Sequence, residues 1–383
     1  MTTHASALHG GKAIAVADLG SAGAGVSIIY VRKGDPAKVL LAERTYLPPS
    51  ESNQTVDALI TQLGTFAEKV ASKYLARNPH GPRIKSAYVI MRPPWMLSKS
   101  AYHSSTLPPE SIIDYKVISG IARDILTQEK EYESAQIVDS HVVRVEINGY
   151  PTRHPEGKRG SEVAVSALLS ACDPGVRTRV EEAIMRSFGV RPELRSGVRV
   201  LDALMYEGVC PSSCLVVDMT GETTNAAVFR HGVVAEQSLV PEGMYSIIRR
   251  VAGNGMPEEA LSLIRMVGED HCDTAACEAI RAQIAQAEPE LVRIFASAFE
   301  GLASKRRISE KLILIAHPSL LPWLRQFFSR PDFAPYTLTR KPFSVETITQ
   351  DSLSRLVVSE ADVEIDLDFL IGAALVNSEE NDE

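Results

Sequence analysis

A strand that ends in aspartate, a turn of small residues and a second strand occur twice in this chain, 200 residues apart. In the later copy, within residues 213–243, the apolar run 215–217 ends at Asp218, and Thr220, Gly221, Glu222 and Thr223 turn the chain. A second run passes through Ala226, Val228 and Phe229, and a third strand follows Arg230-His231-Gly232 and leads to Gly243. The earlier copy, residues 13–25, places Asp18 before Gly20, Ser21 and Ala22 and continues into the apolar run 26–31. Backbone N–H groups exposed between two strands form a concave anion site, and glycine lets a backbone approach a phosphate closely. An aspartate at the strand end suits Mg²⁺ held through water, because that hard ion keeps its hydration shell. Two such units imply a duplicated domain gripping one phosphate chain from two sides.

These two stretches resemble the phosphate loops of the actin-like ATPase superfamily, in the branch that holds the cell-division protein FtsA and the type IV pilus assembly protein PilM. The order of elements is similar over residues 12–376. The resemblance implies an α/β, actin-like (ribonuclease H-like) duplicated domain with an inserted small α+β subdomain. It implies ATP and Mg²⁺ as cofactors, with Asp18 and Asp218 as metal residues. Nucleotide contacts would come from Gly20, Ser21, Ala22, Thr220, Gly221, Glu222, Thr223, Thr224, Gly243, Glu259, Arg265, Ala316 and His317.

The rest of the chain divides on pattern. Residues 12–46 read as three strands, 53–77 as a helix with one apolar face, and 86–91 as a strand. This makes 12–92 a first actin-like half. Arg92-Pro93-Pro94 breaks the pattern, and 93–190 reads as the inserted subdomain. In it, a helix is expected to open at Pro109, Asn148-Gly149 signals a hairpin, and Asp173-Pro174 starts a second helix. Residues 191–376 form the second half, including the return helix of the first, and 377–383 an acidic, disordered tail. The loop 148–160 carries Arg153, Lys158 and Arg159 and is basic in an acidic protein, so it is expected to touch a partner or a neighbouring subunit. Its Asn-Gly start and Pro155-Glu156-Gly157 centre resemble the FtsA insertion.

Departures from the family pattern bear on the chemistry. Where relatives carry Gly-Gly-x under adenine, this chain has Ala316-His317-Pro318, and proline offers no N–H. Glu222 replaces a glycine of the second turn and would aim a carboxylate at phosphate. The helix lysine of FtsA is replaced by Ser262, with Arg265 as a substitute charge. No base aspartate for a kinase stands out. The expectation is at most a weak ATPase, with ATP and Mg²⁺ as a degenerate switch.

A net charge of −8 gives no electrostatic support for nucleic-acid or unaided membrane binding. No apolar run approaches the roughly 18 residues of a membrane span, and residues 1–12 lack a signal-peptide core. A cytoplasmic location follows, at the inner membrane face through a partner. Five cysteines without Cys-x-x-Cys spacing read as reduced structural residues. Three functions stay open: an FtsA-like scaffold of bacterial cell division that recruits partners or self-assembles into filaments, a PilM-like pilus platform, and a kinase-type enzyme of the same fold.

Overall fold

The computed structural model describes residues 10–50, 56–361, 363 and 365–382. The first half opens with β1 (Lys12–Gly20), β2 (Gly23–Val31) and β3 (Ala37–Tyr46), followed by α1 (Val56–Arg77) and β4 (Ile84–Met91). The first three residues of the expected 53–77 helix lie outside the described residues. β1 pairs antiparallel with β2 and parallel with β4. Alternate β1 residues serve two cores: Ala13, Ala15, Ala17 and Leu19 face α1, while Ile14 and Val16 face the opposite side. Burial on both faces explains why this strand is an unbroken apolar run.

The inserted module differs from expectation at its start. Residues 96–112 form β5 (Met96–Ile112), and the helix α2 begins only at Tyr115 (Tyr115–Gln128), not at Pro109. Asp114 caps it by accepting from the Val117 N–H. β5 is an edge strand built from serine, threonine and lysine, so it lacks the alternating apolar pattern that marks a strand. β6 (Ile137–Ile147), β7 (Tyr150–Thr152) and β8 (Arg159–Cys172) complete a sheet of order β5-β8-β6-β7. Asn148 and Gly149 take φ of 51° and 79°, both positive, as a two-residue hairpin requires. One face, with Val163, Val165 and Leu169, packs on Ile121 and Ile125 of α2.

The helix α3 (Pro174–Phe188), capped by Asp173, lies on α1 rather than on this sheet. Next come β9 (Glu193–Ser196) and α4 (Gly197–Tyr206). The module also touches the second half. Leu168 enters the core around α4, and the Ser100 hydroxyl donates to the Val234 carbonyl of the second half at 2.8 Å.

The second half repeats the first with β10 (Cys214–Met219), β11 (Thr224–Arg230) and β12 (Val233–Val240). Then follow α5 (Met244–Ala252), α6 (Pro257–Gly268), α7 (Ala275–Ala303), β13 (Lys311–Ile315), α8 (Leu321–Phe328) and β14 (Ser344–Thr347). The sheet order is β12-β11-β10-β13-β14, with β13 parallel to β10. α9 (Gln350–Leu353) and β15 (Val357–Ser359) return to the first sheet, of order β15-β3-β2-β1-β4-β9.

Two further expectations fail. The tail is not disordered over 378–382: α10 runs Leu367–Asp382. Glu379 accepts from Arg195 and Arg199, and Glu380 accepts from Lys12 at 2.6 Å, so ion pairing holds the acidic end in place. The cysteines are not all reduced either. Cys272 and Cys277 form a disulfide across the start of α7, with Cα atoms 5.7 Å apart, while Cys172, Cys210 and Cys214 are free and buried. Among the described residues, no helix is long and apolar enough to cross a membrane.

Candidate functional site

The two turns face each other across the junction of the halves. Asp18 lies opposite Gly25 on one side and Ile90 on the other; Asp218 lies between Asn225 and Ile315 in the same way. The register makes Arg92-Pro93 and His317-Pro318 equivalents, each beginning two residues beyond the isoleucine opposite an aspartate.

Arg92 fills the space between the aspartates. Its Nη1 donates to both Asp218 carboxylate oxygens, at 2.8 and 2.9 Å, and its Nε to Asp18 Oδ1 at 3.2 Å. Nη2 donates to Asp368 Oδ1 at 2.8 Å. Arg44 on β3 donates to Asp18 Oδ2 at 3.0 Å and pairs with Asp366 at 2.5 Å. Its guanidinium lies 4.5 Å from the Phe369 ring centre. Asp18 and Asp218 are each 2% exposed and Arg92 4%.

Two guanidiniums therefore serve four carboxylates, and the imbalance divides their protonation. Burial pushes the Asp18 carboxyl up, but Arg44 and Arg92 outweigh it and hold it below the usual range. Asp218 shares its one guanidinium with Asp368, and burial pushes it up to about 6. Burial also raises Asp368.

The turns bond to each other. The Ser21 and Thr220 hydroxyls lie 2.9 Å apart, and the Glu222 N–H donates to Ser21 Oγ at 3.0 Å. A methyl group added at Gly221 would sit 2.8 Å from the Ser21 carbonyl and the Ala22 nitrogen, so the two backbones are in contact. One added at Gly243 would lie 2.5 Å from the Gly221 oxygen and the Thr223 nitrogen. The first N–H groups of α5 are taken too: Met244 donates to the Thr220 carbonyl and Tyr245 to that of Gly221, at 2.8 and 2.7 Å. The Tyr245 hydroxyl donates across the junction to the Ala22 and Leu47 carbonyls.

Beside Arg92 remains a cavity of about 60 Å³, walled by Asp18, Arg44, Tyr46, Ala316, His317 and Asp368. His317 meets Tyr46 edge to face at 5.2 Å, and its Nδ1 accepts from the Ser319 N–H, while burial lowers its pKa. Small-molecule sites occupy roughly 300–1,000 Å³, so the space suits a few waters.

The structure thus brings together Asp18, Gly20, Ser21, Ala22, Asp218, Thr220, Gly221, Thr223, Thr224, Gly243, Ala316 and His317 in and around one junction. Thr224 is buried there, its hydroxyl donating to the Glu242 carbonyl. It does not bring Glu259 or Arg265, which are exposed on α6. Glu222 does not aim at phosphate: Arg249 holds its carboxylate at 2.6 and 3.0 Å. In the sequence Arg92 stands out only as a pattern break, and Arg44, Asp366 and Asp368 belong to no motif. The shared arginine/histidine-proline step after two buried strands was the available signal.

The residues present do not fit a nucleotide with magnesium. The place between the aspartates holds a guanidinium, and the Glu222, Met244 and Tyr245 N–H groups already donate within the protein. Among the described residues, no group of three or more His, Cys, Asp or Glu side chains is arranged to hold a metal ion.

Two α/β halves that each carry a strand–Asp–turn–strand unit at a common junction define the actin-like ATPase fold. The PilM–PilN type IV pilus biogenesis complex contains a chain of similar structure, with a TM-score of 0.58 and 15% identity over 97% of this chain and 98% of that one. The ethanolamine utilization protein EutJ from Carboxydothermus hydrogenoformans gives 0.42 and 12%, over 95% and 89%. A Bacteroides thetaiotaomicron protein with actin-like ATPase fold and unknown function gives 0.37 and 10%, over 82% and 88%. No family model and no curated protein sequence matches the chain.

Proposed function

We propose that this protein is a non-enzymatic actin-fold platform that binds protein partners of a membrane-associated machine, in the manner of PilM with PilN. The observation that carries this reading is the direct bonding of the two turns, Ser21 to Thr220, where the fold would place a reacting phosphate. Asp18 and Asp218 are both engaged by arginine, so neither aspartate is free to act as a general base.

The proposed partner surface is the end of the inserted sheet that carries the loop 148–160. Arg153, Lys158 and Arg159 are exposed there, beside the exposed apolar side chains of Ile112 and Tyr115 on the adjoining chain. Arg153 lies over the Tyr206 ring, 5.2 Å from its centre. A basic surface with apolar anchors suits an acidic segment of a partner or of the next subunit. Replacing Arg153, Lys158 and Arg159 by serine is expected to leave the melting temperature nearly unchanged and to weaken partner pull-down in a salt-sensitive way. Unchanged capture at low salt would remove the loop from the interface.

The pilus reading is supported by likeness over 98% of a chain of the PilM–PilN complex; the division reading rests on the FtsA-like loop and predicts self-assembly. Deleting the gene separates them. Loss of surface pili with normal cell length supports the platform, and filamentous cells with intact pili would replace it with the division role.

A further inference from the structure

The junction between the halves has a property that goes beyond partner binding. We propose that it is a fixed joint, with the Arg92 guanidinium standing permanently where a hydrated Mg²⁺ would stand between the two turn aspartates, so that the halves keep one orientation without nucleotide. Arg92 supplies the positive charge that both aspartates need, and it does so from within the chain: Asp18 belongs to the first half, and Asp218 to the second. Asp368, at the start of the helix between the two sheets, takes the remaining nitrogen. One side chain therefore pins three separate elements.

The phosphate positions are closed by the same logic. A concave anion site needs unpaired backbone N–H groups, and here the Glu222, Met244 and Tyr245 N–H groups all donate within the protein. The contact at Gly221 leaves no room for even a methyl group between the turns. A phosphate is far larger, so its entry requires the halves to separate. Separation would break the Ser21–Thr220 bond, the Arg92 bridge and the Tyr245 hydroxyl contacts together. A ligand shifts such an equilibrium only by its difference in affinity for the two states, so MgATP would have to repay the loss of all these contacts.

Three readings on the full-length protein test the joint. Millimolar MgATP, followed by calorimetry and by thermal melting, is expected to give no heat of binding and no shift; saturable binding with a raised melting temperature overturns the proposal. Arg92→Ala leaves Asp18, Asp218 and Asp368 facing one another. It is expected to melt lower than the wild type and to be partly restored by MgCl₂ alone, which leaves the wild type unmoved. A variant that melts like the wild type overturns the proposal. Should Arg92→Ala not fold, Arg92→Lys keeps the charge and is expected to fold with a reduced melting temperature. Finally, Ser21→Cys with Thr220→Cys is expected to cross-link on mild oxidation at the same rate with and without MgATP, and slowing by MgATP overturns the joint. None of these readings involves a partner, so they can fail while the platform reading stands, and the reverse.

Discussion

A buried charge is worth most as evidence when its partner is missing. Asp202 on α4 is 8% exposed, and burial pushes its carboxyl up to about 7 against the opposing pull of Arg199. His141 Nε2 lies 3.9 Å away, beyond hydrogen-bond reach. The folded state thus binds the proton more tightly than the unfolded chain, whose aspartates titrate near 4. The stabilising contribution is complete below that pH and is lost as pH rises through about 7. Each pKa unit corresponds to about 1.4 kcal/mol, so ionising Asp202 in place costs a few kcal/mol above pH 7. Asp202→Asn is expected to raise the melting temperature at pH 8 and to change it little at pH 4. Equal effects at the two values would show that the carboxylate is solvated. Asp18 has the opposite sign: held low by two arginines, it contributes stability that is lost as pH falls toward its own pKa.

At the scale of elements, the helix α10 shows what side-chain partners do to a segment of unpromising composition. Its last turns carry Glu379, Glu380 and Asp382, acidic residues at a helix C-terminus where the dipole disfavours them. Glu379 accepts from Arg195 and Arg199 at 2.8–3.1 Å, and all three side chains are mostly buried. Glu379→Ala takes the ion-pair partner from Arg199 and leaves Arg195 with Glu193 and the more distant Asp139. The expected cost is about 2–4 kcal/mol, read as a lower melting temperature and faster amide exchange along α10. A surface-like loss under about 0.5 kcal/mol would contradict the latch.

The same elements explain what could be read beforehand. β1, β10 and β13 are buried on two faces and announce themselves as apolar runs, and Asp173-Pro174 and Asn148-Gly149 are local signals that need no tertiary context. β5 was missed because an edge strand presents polar residues. α10 was cut short because its partners, Arg195 and Arg199, are about 180 residues away in sequence, as the ion-pair separations show. The aspartates of the junction were visible as motif residues. Arg92 was not, since a charge after a strand becomes meaningful only once the second turn is placed opposite the first.

For the whole molecule, the question is whether two halves of a duplicated fold behave as one body. Chains of this size commonly split into domains with separate cores that unfold separately. Here one core crosses the division. Val16 and Ile90 from the first sheet and Val216 and Ile313 from the second join a single cluster with Leu204 of α4 and Leu370, Ile371 and Ala374 of α10. β15, which follows the second half in sequence, pairs with β3 of the first. Neither half can unfold without stripping apolar surface from the other, at roughly 25 cal/mol per Å² exposed. The Arg92 bridge adds a polar tie at the mouth of the same seam. Calorimetric melting is therefore expected to show one transition whose calorimetric and van't Hoff enthalpies agree. In Arg92→Ala that single transition should move down without splitting, because the shared core remains. Two resolved transitions in the wild type would mean that the seam holds less energy than either half. A split confined to the variant would mean that Arg92, and not the core, is what joins them.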